Sequence, residues 1–143
     1  MNIAPQPDAL TQPFWDAVNA GYLVLQHCAH CQTFVHPPLQ LCPVCRNGGL
    51  EWRSPDALGT VYSQTTVHHA ALDVVKSEVP YSLLLVELDA GPRMVLNAIN
   101  KMPDEIRIGM RGRVVIHTNE HGITLPQFEI ASEAHHKGGH HGK

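Results

Sequence analysis

The four cysteines of this chain fall into two pairs, Cys28-Ala29-His30-Cys31 and Cys42-Pro43-Val44-Cys45, spaced C-x2-C-x10-C-x2-C. No other feature limits the fold as strongly. Two thiolates set two residues apart can grip one ion from a tight turn. Two such turns brought together give the tetrahedral S4 set that zinc takes in closed structural sites. Zinc has no redox chemistry of its own, so the predicted site is a staple, and its binding energy becomes folding energy for the surrounding segment. That segment, residues 22–53, needs one. Its strand-like runs at 22–26, 33–36 and 50–53 are short, and Pro37-Pro38 and Asn47-Gly48-Gly49 interrupt them.

All four cysteines fit this one scheme, so none is left as a nucleophile. A closed zinc site also has no open position for a reactive water. His27, His30 and His36 lie close by, yet four thiolates leave no vacancy for them. Gln32 and Arg46 follow the two pairs where zinc turns often place glycine, and Arg46 is positioned to offset the net negative charge of a tetrathiolate zinc. Iron in the same cage, as in a rubredoxin-type electron carrier, and a redox-active dithiol remain rival uses of the four sulfurs.

From Pro55 the pattern changes. Residues 59–69 are rich in Val, Thr and Tyr, and 81–88 form a strong apolar strand. Ala90-Gly91-Pro92 turns the chain into a further strand at 93–99, residues 103–109 read as helical or turn-like, and strands follow at 111–118 and 124–130. Pro126 marks the last of these as an edge strand. Five strands separated by turns fit a small OB-type barrel. Ahead of the cysteines, Pro13 opens a short helix, Phe14 to Ala20, which Gly21 closes. The fold class is therefore mostly β, comprising a polar arm and helix over 1–21, a zinc ribbon over 22–53, a five-stranded OB-fold barrel over 54–131, and a His-rich low-complexity tail over 132–143 that is expected to be disordered.

Other residues are candidates for binding or docking. Phe14 and Val18 share one helix face with Trp15 beside them. They pack on the body of the domain, and Phe14 and Trp15 are also candidates for a partner-docking surface. Arg107, Arg111 and Arg113 lie close together in sequence and are candidates for a small anion site, such as the phosphates of a nucleotide-like group. His68 and His69 sit on or near the first barrel strand, where at most one can face inward. The histidines of the tail, His135, His136, His140 and His141, could hold a metal loosely.

Charge narrows the partners. Ten Lys and Arg stand against 13 Asp and Glu, for a net charge of −3, and no two basic residues are adjacent. Nucleic-acid binders carry a basic stripe, so this balance argues against nucleic acid. The longest apolar run, Leu83-Leu84-Leu85-Val86, is strand-sized, so no membrane span is expected. Met1 to Pro7 has neither the basic region nor the apolar stretch of a signal peptide, which predicts a cytoplasmic protein.

Several of these runs, read together, resemble the DUF35 family. They are Phe14-Trp15, Gly21-Tyr22-Leu23-Val24-Leu25-Gln26-His27-Cys28, Phe34-Val35-His36-Pro37-Pro38, Cys42-Pro43-Val44-Cys45, Leu50-Glu51-Trp52 and Gly59-Thr60-Val61-Tyr62-Ser63. Pro80-Tyr81, Ile108-Gly109-Met110 and Leu125-Pro126-Gln127-Phe128 agree, so the resemblance covers about residues 13–131. It implies an N-terminal helix, a rubredoxin-like zinc ribbon and an OB-fold. It further implies a non-catalytic accessory subunit of a thiolase-fold enzyme that helps hold an acyl-CoA, with the chemistry on the partner chain. The alternative function is an OB-fold module for single-stranded nucleic acid, which would need aromatic platforms in a basic groove.

Overall fold

A computed structural model describes residues 4–132 of the chain. Helix α1, Gln12–Asn19, has Pro13 in its first turn and buries Phe14, Ala17 and Val18. These residues are three and four apart, so they share the face that meets the core. The helix ends in a Schellman arrangement. Gly21 takes φ +93°, its N–H donates to the Val18 carbonyl at 3.0 Å, and Tyr22 N–H donates to the Ala17 carbonyl at 3.0 Å.

A three-stranded antiparallel sheet follows: β1 (Leu25–Cys28), β2 (Phe34–Val35) and β3 (Leu50–Arg53), in the order β2-β1-β3. The first strand starts at Leu25 rather than at Tyr22. Leu23 and Val24 are buried without pairing in the sheet.

The second sheet has five antiparallel strands, β4 (Leu58–Val67), β5 (Tyr81–Leu88), β6 (Arg93–Leu96), β7 (Arg111–Thr118) and β8 (Thr124–Ile130), ordered β6-β5-β4-β7-β8. A 3-10 turn at Asp73–Val75 lies between β4 and β5, and another at Pro103–Glu105 lies between β6 and β7. A register shift between Val61 and Ser63 lets the long β4 bend and curl the sheet. The edges meet just beyond β6, where Ala98 and Phe128 form a parallel bridge, Phe128 N–H donates to the Asn97 carbonyl at 2.8 Å and Ile99 N–H to the Phe128 carbonyl at 3.2 Å. The side chain of Asn100 extends this closure, donating to the Ile130 carbonyl at 2.7 Å and accepting its N–H at 3.0 Å. The curled sheet thus forms the five-stranded OB-fold. β8 lies at its edge, with Pro126 opposite Ile116.

The interior of this half-barrel holds Val61, Leu84, Val86, Leu88, Met94, Leu96, Val114, Phe128 and Ile130, with Ile106 added by the β6–β7 connection. Phe14 and Val18 from α1 and Leu23 and Leu25 from the ribbon's base join the same cluster, so one core runs through all three parts of the chain. Two glycines make that packing possible. Gly59 and Gly112 are direct partners across β4 and β7. A Cβ at Gly112 would come within 2.8 Å of the Phe128 ring and closer still to the Glu129 carbonyl, and one at Gly59 would come within 2.9 Å of Val86.

Candidate metal centre and its surroundings

The two cysteine pairs sit on two turns of the same construction. In the first, Cys28 N–H donates to the Thr33 carbonyl and Gln32 N–H to the Cys28 carbonyl, both at 2.9 Å. In the second, Cys42 N–H donates to the Asn47 carbonyl at 3.0 Å and Arg46 N–H to the Cys42 carbonyl at 2.9 Å. The left-handed residue that each turn requires is Gln32, at φ +60°, and Arg46, at φ +61°. The turn geometry is therefore kept without glycine, and Gln32 braces its own turn by donating from Nε2 to the Ala29 carbonyl at 2.8 Å.

The four sulfurs all lie within 4.8 Å of one another, with Cys28 and Cys45 at 3.6 Å and Cys31 and Cys42 at 3.5 Å. Metal–sulfur bonds of about 2.3 Å in a tetrahedron place sulfurs about 3.8 Å apart, so the cage has the dimensions zinc needs. None of the cysteines is in a disulfide. Cys28 and Cys42 are buried, whereas Cys31 and Cys45 are partly exposed.

Nearby donors prepare the thiolates. The Thr33 hydroxyl, then its backbone N–H, draws the Cys31 thiol down to about 6. The backbone N–H and the side-chain amide of Asn47 lower Cys45. Cys28 receives the N–H groups of Cys31 and His30, but burial and the adjoining sulfurs push it up to about 11.

The nearby histidines have other roles. His27 is buried and packs edge-on against Phe34, with ring centroids 4.7 Å apart. His36 lies against Phe14 at 5.7 Å, and burial lowers its pKa below the ordinary histidine value. His30 is exposed. Among the described residues the four cysteines are the one cluster of three or more possible metal ligands. Gln26, buried in β1, accepts the Leu39 N–H at 2.7 Å and donates to the Leu39 carbonyl at 2.9 Å, which fixes the loop leading into the second turn.

The other sequence candidates are spread over the helix and the barrel. Phe14 is 5 % exposed and belongs to the core. Trp15 packs edge-on against it at 5.0 Å and is only partly buried. The arginines are each engaged. Arg107 turns back onto the carbonyls of Asp104 and Ile106, Arg111 pairs with Asp89 and donates to Thr60 Oγ1 at 2.8 Å, and Arg113 pairs with Glu129 at 2.9 Å. The Arg111 guanidinium holds the Asp89 carboxyl below its ordinary value. Arg111 and Arg113 flank a shallow hollow of about 180 Å3 floored by Leu58, Gly112 and Ala131, and Arg107 is not among its walls. His68 and His69 are both exposed beyond the end of β4, and the tail histidines lie outside the described residues. Exposed large aromatics among the described residues are Tyr22 and Tyr62, and Arg93 covers the Tyr62 ring at 3.6 Å. That gives no row of stacking platforms for a nucleic-acid strand. No described helix is long and apolar enough to cross a membrane.

A helix, a four-cysteine zinc ribbon and an OB-fold on one core define the class of protein. Its ribbon matches the family profile described as the ChsH2 rubredoxin-like zinc ribbon domain, over residues 15–51, and its barrel matches the ChsH2 C-terminal OB-fold domain, over residues 52–117. A DUF35 domain-containing scaffold protein of Methanothermobacter thermautotrophicus is 31 % identical over 108 residues, which is 72 % of this chain and 80 % of that protein. The chain belongs to the DUF35 family.

A probable enoyl-CoA hydratase alpha subunit of Thermomonospora curvata is 40 % identical over 121 residues, or 82 % of this chain. The chain spans only 37 % of that subunit's length. Among solved structures, a chain of the Ltp2-ChsH2(DUF35) aldolase superposes with a TM-score of 0.79 at 34 % identity, covering 90 % of this chain and 99 % of that one.

Proposed function

We propose that this chain is a cytoplasmic, non-catalytic accessory subunit of a thiolase-fold enzyme complex and helps that enzyme hold an acyl-CoA. The observation that carries the reading is the likeness, over nearly the whole chain, to a DUF35 chain solved as part of an aldolase named for two components. Relatives named as scaffold proteins and as alpha subunits of CoA-ester hydratases support the same reading.

The chain's own chemistry is consistent with it. Every cysteine faces the metal cage, and a four-sulfur zinc site has no open coordination position, so the metal supplies rigidity. The ribbon presents apolar side chains to solvent, with Leu41 56 % and Val44 65 % exposed, on a loop held by Gln26 and by the metal cage. Rigid apolar surface of this kind loses little entropy when a partner covers it. For the acyl-CoA, Arg111 and Arg113 beside the apolar hollow are the candidate contacts, with Arg107 outside its walls. A diphosphate there would have to compete with Asp89 and Glu129 for the guanidinium groups.

Affinity purification from the native host, followed by mass spectrometry, tests the assignment. A near-stoichiometric thiolase-fold subunit is expected, and the isolated chain should turn over no acyl-CoA that the reconstituted pair converts. Recovery of the chain alone at native levels, or turnover by the isolated chain, would overturn it.

A further inference from the structure

The two metal turns share a backbone design that any residue type could complete at one position. Thr33 and Asn47 each lie two residues past the second cysteine of a pair. Their carbonyls accept the Cys28 and Cys42 N–H groups at 2.9 and 3.0 Å. Every residue has a carbonyl, so this role does not call for threonine or asparagine. The side chains add something the backbone does not supply. The Thr33 hydroxyl reaches the cage, with Oγ1 3.3 Å from the Cys31 sulfur. The Asn47 amide is divided, because it donates to the Cys45 carbonyl at 3.3 Å as well as lying beside the Cys45 sulfur.

Charge explains what a hydroxyl does at that place. Four thiolates around one dication leave net negative charge on the sulfurs. Cys28 and Cys42 are buried, so the fold itself hides them. Cys31 and Cys45 are partly exposed, and these are the sulfurs an electrophile can reach. Arg46 is exposed, and among the described residues no hydrogen bond joins its guanidinium to a sulfur. Neutral donors are left to take up the charge. A metal-bound thiolate carries no proton, so the Thr33 hydroxyl can only donate to it. The Thr33 N–H is directed at the same sulfur. One residue thus sets two donors on one exposed thiolate.

We propose that Thr33 is a positioning residue of the metal centre, whose hydroxyl donates to the Cys31 thiolate, holds that sulfur in the cage and draws off part of its charge. Cys31 then resists electrophiles, and the ion is retained. Partners outside the ligand set typically change metal affinity about 10- to 100-fold. The hydroxyl supplements the N–H instead of replacing it, which places its share at the low end of that range.

The full chain, loaded with zinc, carries the test. Valine keeps the β-branched shape of threonine and lacks the donor. In Thr33→Val, competition with a colorimetric chelator should show zinc held about tenfold more weakly. Iodoacetamide, followed by peptide mass spectrometry, should alkylate Cys31 several-fold faster while the initial rate at Cys45 stays the same. In the cobalt-loaded form the sulfur-to-metal charge-transfer band should move to longer wavelength, because a thiolate without the hydrogen bond gives up an electron more readily. Thr33→Ser keeps the hydroxyl and should restore all three properties. General loosening of the ribbon would instead speed Cys31 and Cys45 together and leave the band in place. That pattern overturns the proposal, as does an unaltered Cys31 rate or a Thr33→Ser variant that behaves like Thr33→Val. If Thr33→Val does not fold, Thr33→Ala must show the same shift of the band, and Thr33→Ser must keep the wild-type band and Cys31 rate. Failure of either overturns the proposal.

Discussion

The ribbon and the barrel reach order by different means. The barrel cluster contains 14 buried residues, almost all branched aliphatic or aromatic, drawn from helix, ribbon base and five strands. The ribbon's own cluster consists of Cys28, Val35 and Cys42, with Cys31, Cys45 and Leu50 packed against it, so four of its six members are cysteines. Its strands are two to four residues long, against four to ten in the barrel. Where apolar area is too small to offset chain entropy, a metal replaces it, at the cost of making that region's stability depend on the ion.

Metal removal should therefore separate the two regions most strongly. Structural zinc in finger-like peptides contributes about 10–16 kcal/mol of apparent binding free energy. Treatment with a strong chelator is expected to abolish amide hydrogen-exchange protection across 26–51 while β4, β5, β7 and β8 keep theirs. Equal loss of protection in both sheets would show that the shared core around Leu25 makes them one cooperative unit.

Glycines sharpen the comparison. In the barrel, Gly112→Ala forces a Cβ against the Phe128 ring and the Glu129 backbone, and overpacking of this kind costs about 3 kcal/mol. Gly59→Ala should cost nearly as much. In the ribbon, a Cβ at Gly48 meets nothing, and Gly48→Ala should change stability by less than about 0.5 kcal/mol. Urea unfolding of the three variants checks the order, and a mild Gly112→Ala would mean that β7 and β8 can slide apart to accept a methyl group.

Two side-chain clamps give a smaller effect, one in each region. Gln26 holds Leu39, 13 residues away, and Asn100 holds Ile130, 30 residues away, each through paired backbone hydrogen bonds. Alanine at either position leaves a partly buried N–H and carbonyl unpaired, which costs about 2 kcal/mol. Only Gln26→Ala should also weaken zinc binding, because Leu39 leads directly into Leu41 and Cys42. Competition with a colorimetric chelator measures this, and equal zinc affinity in both variants would break the link between the clamp and the metal turn.

What the sequence revealed follows the same division. Local signals were reliable. The strands at Leu50–Arg53, Tyr81–Leu88, Arg111–Thr118 and Thr124–Ile130 lie where alternation and turn residues put them, and the cysteine spacing announced the cage. Contacts between distant positions carried no such signal. Neither the Gly59–Gly112 pair nor the Asn100 clamp leaves a local period to read. Arg107, Arg111 and Arg113 looked like a cluster because they are near in sequence, but strand pairing gave two of them carboxylate partners from elsewhere, Asp89 and Glu129. The inward face of Phe14 and Val18 was legible from helical spacing, whereas the strands far along the chain that complete their core were not.

The smallest expected effect lies where the two regions meet. His36 packs against Phe14 of the helix, its Nδ1 is buried without a partner, and burial lowers its pKa below the ordinary value of 6.5. The folded state therefore resists a proton that the unfolded chain accepts. Stability from this residue is fully present above about pH 6.5 and declines as the pH falls toward the lower folded-state value. Zinc loss also responds to acid, so the informative quantity is the difference between the wild type and His36→Phe at matched zinc occupancy. That difference should be flat from pH 8 to about 6.5 and should then move in favour of the variant. A constant difference across the whole range would mean that His36 is as easily protonated in the fold as out of it, and that the junction between helix and ribbon admits water to its Nδ1.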